Sequence, residues 1–328
     1  MRRREFLGVL GAAAAWPLAA RAEQAGGVRR VGVLMVESDP LGQSHLKSFV
    51  QKLQELGWTD GRNVHIEVRL TGTDAERIQK FAKELVAWQP DVITTNSTPG
   101  TTAVQRETRT IPVVFAIVSD PIGEGFVASL ARPGGNITGF INYEGSIAGK
   151  WLDLLKEIDP RVVRAAGLFN PEAAPGGGSY FLRPFEAAAR SLAITPLATP
   201  VRSDKDIYSA ISALGREPGG GLVMMADSFT GSHRARLIEE AARNKVPAVY
   251  PFRSASAEGG LLSYGPDFSD FYLQQGLYVD RILRGARPNE LPVQVPTKFE
   301  LVVNLRTAKT LGLELPATLL GRADEVIE

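Results

Sequence analysis

The sequence predicts an α/β fold with two lobes, each built on a doubly wound parallel sheet, joined by a hinge in which the chain crosses between the lobes more than once. Short apolar runs alternate with stretches in which apolar residues recur at helical spacing, a pattern typical of parallel βαβ units. This alternation restarts in the middle of the chain, and 328 residues are enough for about two domains. We therefore predict one lobe from each half of the chain.

The first half, residues 28–143, contains four predicted strand–helix units. The first strand is the apolar run 31–36, and the helix after it has Leu46, Phe49 and Leu53 at helical spacing. The other predicted strands are residues 64–68, 91–96 and 111–118, and the other predicted helices are residues 75–88 and two that begin near Gly100 and Gly123. A helix after every strand predicts a parallel sheet covered on both faces.

The second half, residues 144–265, repeats this pattern. Its predicted strands are residues 162–169, 194–201, 221–225 and 248–250, and its predicted helices are residues 181–192, 206–214 and 233–244. The final segment, residues 266–328, contains a long helix at 268–283, a proline-rich stretch and a last strand at 299–303. These late elements could return to the first lobe, which would add crossovers, and the sequence leaves the lobe of each one open.

The first 22 residues contain the features of an export signal in the correct order. Arg3 and Arg4 form a twin-arginine start, a weakly apolar run follows, and Ala20-Arg21-Ala22 has the small-x-small form of a cleavage site. We predict a twin-arginine signal peptide at residues 1–22 and a periplasmic protein. The alternative is a disordered basic N-terminus followed by an alanine-rich helix.

The composition excludes several classes of function. Residues 1–22 contain four of the 37 basic and one of the 36 acidic residues, so the remainder, with 33 basic and 35 acidic residues, has a formal charge of −2. A nucleic-acid partner would require a basic excess. No later segment approaches the ~20 uninterrupted apolar residues of a membrane span. The absence of cysteine excludes disulfides, thiol catalysis, Cys-ligated zinc and a lipid anchor on an N-terminal cysteine.

The candidate site residues lie at or beside the carboxyl ends of predicted strands, where open parallel sheets bind their ligands. They are Asn96, Ser97, Thr98, Thr101, Ser119, Asp120, Asn170, Asp227, Phe252 and Tyr264. The polar candidates could contact a ligand or cap the helices that follow them. We favour ligand contact for Ser119 and capping for Asp120, which could instead face an ammonium group. The aromatic candidates could cover an apolar ligand or pack in the core.

The sequence contains no recognisable catalytic or metal site. The three histidines, His45, His65 and His233, are far apart and lack the spacing of metal ligands. Neither a G-x-S-x-G nucleophile motif nor a G-x-x-x-x-G-K-[ST] phosphate loop occurs. We therefore predict a binding protein with no cofactor and no metal. The alternative is a two-lobed periplasmic hydrolase or isomerase with Asp120 or Asp227 as its base, although neither has a visible catalytic partner.

Four segments resemble a known family. They are PVVFAIVSDPIGEGFVASLARPGGNITGF (112–140), KWLDLLKEIDP (150–160), GLFNP (167–171) and NLRTAKTLGLELPATLLGRADEVIE (304–328). These segments resemble the exported ABC-transporter substrate-binding proteins of the tryptophan/tyrosine type. The likeness extends over essentially the whole chain after the signal segment.

This resemblance implies a type I periplasmic-binding-protein fold, whose lobes close by a hinge on a small molecule. The closed protein would then present the ligand to the permease subunits of an ABC importer in the inner membrane. The family pattern places ligand contacts at Asn96, Ser97, Thr98, Ser119 and Asp120 in the first lobe, and at Asn170, Asp227, Phe252 and Tyr264 in the second. The expected ligand is an aromatic or other amino acid, or another carboxylate. Residues 37–40 match no family pattern and leave its identity open, and a sensory receptor with the same fold is the alternative role.

Overall fold

The computed structural model describes residues 27–36 and 40–328. The predicted signal peptide at residues 1–22 and the loop residues 37–39 lie outside the described residues. The described chain forms two sheets, and buried side chains from helices pack on both faces of each one. The predicted α/β fold with two parallel-sheet lobes is confirmed.

The first sheet has the strand order β2-β1-β3-β4-β5, and every neighbouring pair is parallel. Its strands and the helices between them are β1 (Arg29–Met35), α1 (Pro40–Glu55), β2 (Val64–Leu70), α2 (Ala75–Ala87), β3 (Val92–Asn96), α3 (Ser97–Glu107), β4 (Val113–Val118) and β5 (Ile137–Ile141). Val31, Val33 and Met35 enter one core and Leu34 enters the other. Because β1 is covered on both faces, it is apolar at consecutive positions and does not alternate with polar residues.

The second sheet has the strand order β12-β11-β10-β9-β8-β6-β7. Its first part contains α4 (Ile147–Ile158), β6 (Arg164–Phe169), α5 (Ser179–Ser191), β7 (Thr195–Pro200), α6 (Asp204–Gly215), β8 (Gly220–Met224), α7 (Ser228–Ser232), α8 (Arg234–Arg243), β9 (Ala248–Tyr250), α9 (Arg253–Ala257) and β10 (Leu262–Gly265). After the helix α10 (Phe268–Leu283), the chain adds β11 (Glu300–Asn304), α11 (Leu305–Thr310), α12 (Ala317–Leu320) and β12 (Glu325–Ile327). The sequence did not indicate that β10 and β11 pair antiparallel, whereas the other pairs of this sheet are parallel.

The long helix α10 packs on the first sheet, although it follows β10 of the second. It lies against α1, β3 and β4. The buried Gln275 side chain secures it, because its Nε2 donates to the carbonyl oxygens of Thr95 and Val114 at 2.9 Å each. The chain therefore crosses between the lobes at residues 142–146, 266–267 and 295–299.

The three crossings meet at the ring of Tyr143, which is fully buried. Its centroid lies 5.2 Å from that of Trp151, 6.1 Å from that of Phe268 and 6.2 Å from that of Phe299. The Tyr143 hydroxyl also donates to the carbonyl oxygen of Pro251. Tyr143 and Phe299 lie in two of the crossings, and Phe268 directly follows the other. The connection between the lobes, which we call the hinge, is therefore a packed aromatic cluster.

The helix predicted to begin near Gly123 is wrong, and the strand β5 was missed. Residues 121–136 form turns and extended loop, beginning with a turn in which Asp120 Oδ1 accepts from Gly123 N at 2.8 Å. Gly125 and Gly134 adopt φ of +69° and +83°, which right-handed helices do not contain. Local glycine geometry thus overrides the helix-like spacing of apolar residues in this segment.

Candidate ligand-binding site

A cavity lined by residues of both lobes lies between them and opens to solvent. We call it the cleft. Polar side chains of both lobes line it: Ser97, Thr98, Ser119 and Asn142 from the first, and Asp227, Ser228, Ser232, Arg234 and Ser254 from the second. Arg234 is paired with Glu258 at 2.8 Å. Because the lining residues follow β3, β4, β5, β8 and β9, the cleft lies beyond the carboxyl ends of both sheets, as predicted.

Ser97 begins α3 in a strained conformation, and its side-chain hydroxyl has no hydrogen-bond partner among the described residues. Its φ is +63°, in the left-handed region that side chains other than glycine rarely adopt. Its side-chain Oγ is buried and has no hydrogen bond among the described residues, and the preceding Asn96 makes no side-chain cap on the helix. The first turn of α3 therefore offers the Ser97 hydroxyl and the N–H groups of Ser97 and Thr98, which a helix start leaves without intrahelical partners. Pro99, the third residue of the helix, has no N–H.

A second strained residue, Ile117, also lines the cleft. Its φ is +55°, which is a genuine outlier for a β-branched side chain. The β4–β5 register shifts between Phe115 and Val118, so the end of β4 contains a bulge. Bulges re-aim side chains at the ends of strands, and this one turns the apolar Ile117 side chain toward the cleft.

Ser119 and Asn142 form a hydrogen-bonded pair in the wall of the first lobe. The Ser119 Oγ donates to Asn142 Oδ1 at 2.8 Å, and the backbone N–H of Tyr143 donates to the same oxygen at 2.9 Å. Sequence analysis did not identify Asn142, because it missed β5, whose carboxyl end carries this residue. The signal was present: a polar residue directly follows the apolar run Ile137–Ile141.

The side chain of Asp227 is a carboxylate that lines the cleft, and backbone N–H groups donate to both of its oxygens. Oδ1 accepts from Thr230 N at 2.8 Å, as the cap of α7, and Oδ2 accepts from Asn170 N at 2.9 Å. Burial raises the pKa of the Asp227 carboxyl from 3.8 to about 7, against the smaller lowering effect of the hydrogen bonds from Asn170 and Thr230. A cationic ligand group beside it would restore the charged form.

Two phenylalanines form an aromatic wall. The ring centroids of Phe252 and Phe268 lie 5.3 Å apart with the rings tilted edge to face, and both line the cleft. Phe268 also contacts Tyr143 of the hinge. Sequence analysis named Phe252 but not Phe268, because the lobe of α10 could not be assigned. This wall can cover a planar apolar group, with ~0.5–1.5 kcal/mol per ring pair beyond the buried area.

Five of the ten predicted site residues line the cleft: Ser97, Thr98, Ser119, Asp227 and Phe252. The other five do not. Two of them, Asn96 and Thr101, are hydrogen-bonded within the first lobe. Asn96 Oδ1 accepts from Val36 N at 2.8 Å, and its Nδ2 donates to the Tyr272 hydroxyl at 3.1 Å. Thr101 Oγ1 donates to the carbonyl oxygen of Ser97 at 2.8 Å. These side chains fix the end of β3 and the start of α3.

The remaining three, Asp120, Asn170 and Tyr264, also have structural contacts. Asp120 caps the turn described above, which agrees with the role that we favoured for it. The Asn170 Oδ1 accepts from two backbone N–H groups of the following loop, and its Nδ2 donates to the carbonyl oxygen of Val201 at 2.9 Å. The Tyr264 ring stacks on Phe299 at 5.6 Å. Asn170 supports the site indirectly, since its backbone N–H positions Asp227.

Among the described residues, no group of three or more His, Cys, Asp or Glu could hold a metal ion. In the same part of the chain, no helix is long and apolar enough to cross a membrane.

Residues 30–327 match the sequence model of the ABC transporter substrate binding protein family. The chain belongs to this family. It is 24% identical over 286 residues to a tyrosine-binding protein of Clostridioides difficile, covering 87% of this chain and 81% of that protein. The structure of an ABC domain in complex with L-Trp from Streptococcus pneumonia is 26% identical, with a TM-score of 0.84, and covers 92% of this chain and 100% of that one.

A conserved domain protein from Vibrio cholerae has the same fold. It is 26% identical, with a TM-score of 0.85, and the match covers 92% of this chain and 100% of that chain. Members of the family bind small-molecule ligands, work with ABC permeases and typically act outside the cytoplasmic membrane. One of these relatives is named for binding tyrosine, and another holds L-Trp in its structure.

Proposed function

We propose that this protein captures an aromatic amino acid in the cleft and delivers it to the permease of an ABC importer. The observation that carries the proposal is the composition of the cleft. A buried carboxylate, Asp227, an aromatic wall of Phe252 and Phe268, and the free donors at the start of α3 all line one cavity. Two similar proteins, the tyrosine-binding protein of Clostridioides difficile and the Streptococcus pneumonia domain in complex with L-Trp, support the same ligand class.

The proposed ligand orientation follows from charge. The α-ammonium group lies near Asp227, where it stabilises the buried carboxylate in its ionised form. The α-carboxylate lies at the first turn of α3, where unused N–H groups and the positive end of the helix dipole favour an anion. The aromatic side chain lies against Phe252 and Phe268. No group in this arrangement has to break a bond in the ligand, so binding and release suffice for the function.

We further propose that the protein acts in the periplasm after export by the twin-arginine route, with residues 1–22 as its signal peptide. The lobes, which we predict to comprise residues 28–143 and 144–265 together with parts of 266–328, would close around the ligand by rotating about the aromatic cluster at Tyr143. Ligand contacts to both walls would shift the population toward the closed state.

Isothermal titration calorimetry on residues 23–328 tests the proposal. We expect L-Trp, L-Tyr or L-Phe to bind with a micromolar or lower Kd, which corresponds to about −8 kcal/mol. L-Leu and L-Glu should bind at least 100-fold more weakly, because they leave the aromatic wall without a ring or place a second carboxylate beside it. Tighter binding of an aliphatic or acidic amino acid, or no heat with any of the five, would contradict the proposal.

A further inference from the structure

We propose that Asn142 determines the specificity of the cleft for a carboxylate, by donating both N–H groups of its side-chain amide toward that group of the ligand. This inference rests on the proposed function and assigns a role to a residue that the sequence did not single out. It depends on three observations: the fixed orientation of the amide, the unused donors on its nitrogen, and the second unpartnered group in the same wall.

The orientation of the Asn142 amide is set by its neighbours. The backbone N–H of Tyr143 can only donate, so the side-chain atom 2.9 Å from it must be the oxygen. The Ser119 hydroxyl donates to the same oxygen at 2.8 Å. Both acceptor positions of Oδ1 are therefore used, and a flip of the amide would place two N–H donors against each other.

The nitrogen of the Asn142 amide has no partner among the described residues. Its residue is only 3% exposed and lines the cleft. The protein does not fully enclose this nitrogen, so it is open to the cleft. With Oδ1 fixed on Ser119 and Tyr143, Nδ2 offers its two N–H groups to whatever occupies the cleft.

The rest of this wall has matching chemistry. Ser97 is 7% exposed, its Oγ has no partner, and it lines the cleft at the start of α3, a helix of 11 residues. The proton of the Ser119 hydroxyl is directed to Asn142, so Ser119 offers the ligand lone pairs only. The donors of the wall are thus the Asn142 amide, the Ser97 hydroxyl and the first N–H groups of α3. This set complements an anion with two acceptor oxygens.

The position of Asn142 also connects the ligand to the hinge. It directly precedes Tyr143, whose ring touches Phe268 of the aromatic wall and Phe299 of the last crossing. A carboxylate held by Asn142 is therefore held by the first crossing segment itself. A ligand without that group can still contact Phe252 and Phe268 but leaves this segment unengaged.

The test compares L-tyrosine with L-tyrosinamide in wild type and Asn142→Asp at pH 8, where the introduced carboxyl is ionised. The substitution keeps the oxygen that accepts from Ser119 and Tyr143 and replaces the donating nitrogen with a negatively charged oxygen. We expect L-tyrosine to bind at least 30-fold more weakly. L-tyrosinamide, whose terminal amide can donate to the new oxygen, should lose less than threefold. Asn289→Asp is the matched control, because it adds the same charge at an exposed asparagine far from the cleft, and it should change neither Kd by more than twofold.

The outcomes separate the two proposals. If wild type binds L-tyrosine but Asn142→Asp weakens both ligands equally, or weakens neither, the role of Asn142 is overturned and the proposed function stands. If wild type binds no aromatic amino acid, with or without a free carboxylate, both proposals are overturned. If Asn142→Asp does not fold, Asn142→Ser replaces it: this neutral change also removes the amide donors and should weaken L-tyrosine at least fivefold more than L-tyrosinamide.

Discussion

The two walls of the cleft are built differently. In the first-lobe wall, Ser97 and Ile117 have positive φ, and the buried Ser97 Oγ has no partner among the described residues. In the second-lobe wall, Asp227 receives hydrogen bonds from Asn170 and Thr230, and the Thr230 hydroxyl completes a capping box with it. The protein therefore holds the carboxylate of the second wall without a ligand, whereas the first wall keeps a buried hydroxyl that a ligand can engage.

This difference assigns separate energetic roles to the walls. A residue held at positive φ costs about 1–3 kcal/mol, and such strain is concentrated at functional sites. A buried polar group without a partner costs a similar amount. The first lobe carries these costs in its unliganded state, and the ligand relieves part of them. The second wall contributes a fixed charge and an aromatic surface. Five experiments test this contrast, from the largest expected effect to the smallest.

The largest effect is expected for Asp227→Ala. The substitution removes the proposed counter-ion of the ligand and leaves the backbone N–H groups of Asn170 and Thr230 without their acceptor. Calorimetry should show at least a 100-fold loss of affinity, and thermal unfolding of the unliganded protein should show a loss of about 2 kcal/mol. Unchanged stability would contradict the claim that these two hydrogen bonds hold Asp227 in the unliganded protein.

The pH dependence of binding tests the charge on the same wall. Because burial raises the pKa of Asp227 to about 7, the unliganded carboxyl is protonated in acid, and an ammonium group must displace that proton. Affinity should fall about tenfold for each pH unit below 7 and level off above it. The variant Asp227→Asn should bind weakly with little change between pH 5.5 and 8. A flat wild-type profile would show that Asp227 does not meet a cation.

The stability of the unliganded protein should depend on pH with the opposite sign. The folded state binds the Asp227 proton more tightly than the unfolded state, whose carboxyl has its ordinary pKa near 3.8. The contribution of this group to the free energy of unfolding is therefore largest below pH 4 and falls as the pH rises toward 7. Denaturant unfolding of wild type and Asp227→Asn at several pH values measures this difference, which should grow in favour of the variant between pH 4 and 7.

Substitutions of Ser97 separate strain from hydrogen bonding in the first wall. Ser97→Gly removes both the hydroxyl and the strain of φ +63°, and it should raise the stability of the unliganded protein by about 1 kcal/mol. Ser97→Ala keeps the strain and removes only the unpartnered hydroxyl, so it should also raise the stability of the unliganded protein, by about 1 kcal/mol. Both should weaken ligand binding about tenfold. A clear loss of unliganded stability in Ser97→Ala would mean that the hydroxyl already has a partner.

The smallest effect is expected at Glu124, which joins the lobes directly. Its Oε1 accepts from the backbone N–H of Gly176 at 2.9 Å, so a first-lobe loop is bound to the segment between β6 and α5. Glu124→Ala should weaken ligand binding about two- to fivefold through faster dissociation, because the contact is partly exposed. Stopped-flow measurements with an unchanged dissociation rate would show that this contact does not stabilise the closed lobes.

The sequence predicted those features that depend on local patterns. Runs such as residues 31–36, followed by helical spacing at Leu46, Phe49 and Leu53, identified the units of both sheets. The rule that ligands lie beyond the carboxyl ends of strands then identified Ser97, Ser119 and Asp227 as lining residues. The first inference holds because a buried strand is recognised from its own apolar run. The second holds because βαβ order makes the strands parallel, so their carboxyl ends lie at one edge of the sheet.

The features that sequence analysis missed depend on long-range contacts or on special backbone geometry. The return of α10 to the first sheet depends on Gln275 meeting Thr95 and Val114, which are remote in sequence. A strand was predicted at residues 299–303, but the sequence contains no local signal that this strand, β11, pairs antiparallel with β10. Turns at Gly123 and Gly125 stand where a helix was predicted after Asp120. Because the strand β5 was not predicted, Asn142 at its carboxyl end was not identified. Whether Asn96 would face the cleft or Tyr272 could not be decided without the position of α10.

A crystal structure of residues 23–328 with L-Trp or L-Tyr bound tests most directly which wall binds which group of the ligand. We predict ligand in the cleft, with its carboxylate within 3.2 Å of the Ser97 Oγ and the Asn142 Nδ2, its ammonium group beside Asp227, and its ring against Phe252 and Phe268. A ligand bound with its carboxylate toward the second lobe, or at a place outside the cleft, would contradict the account.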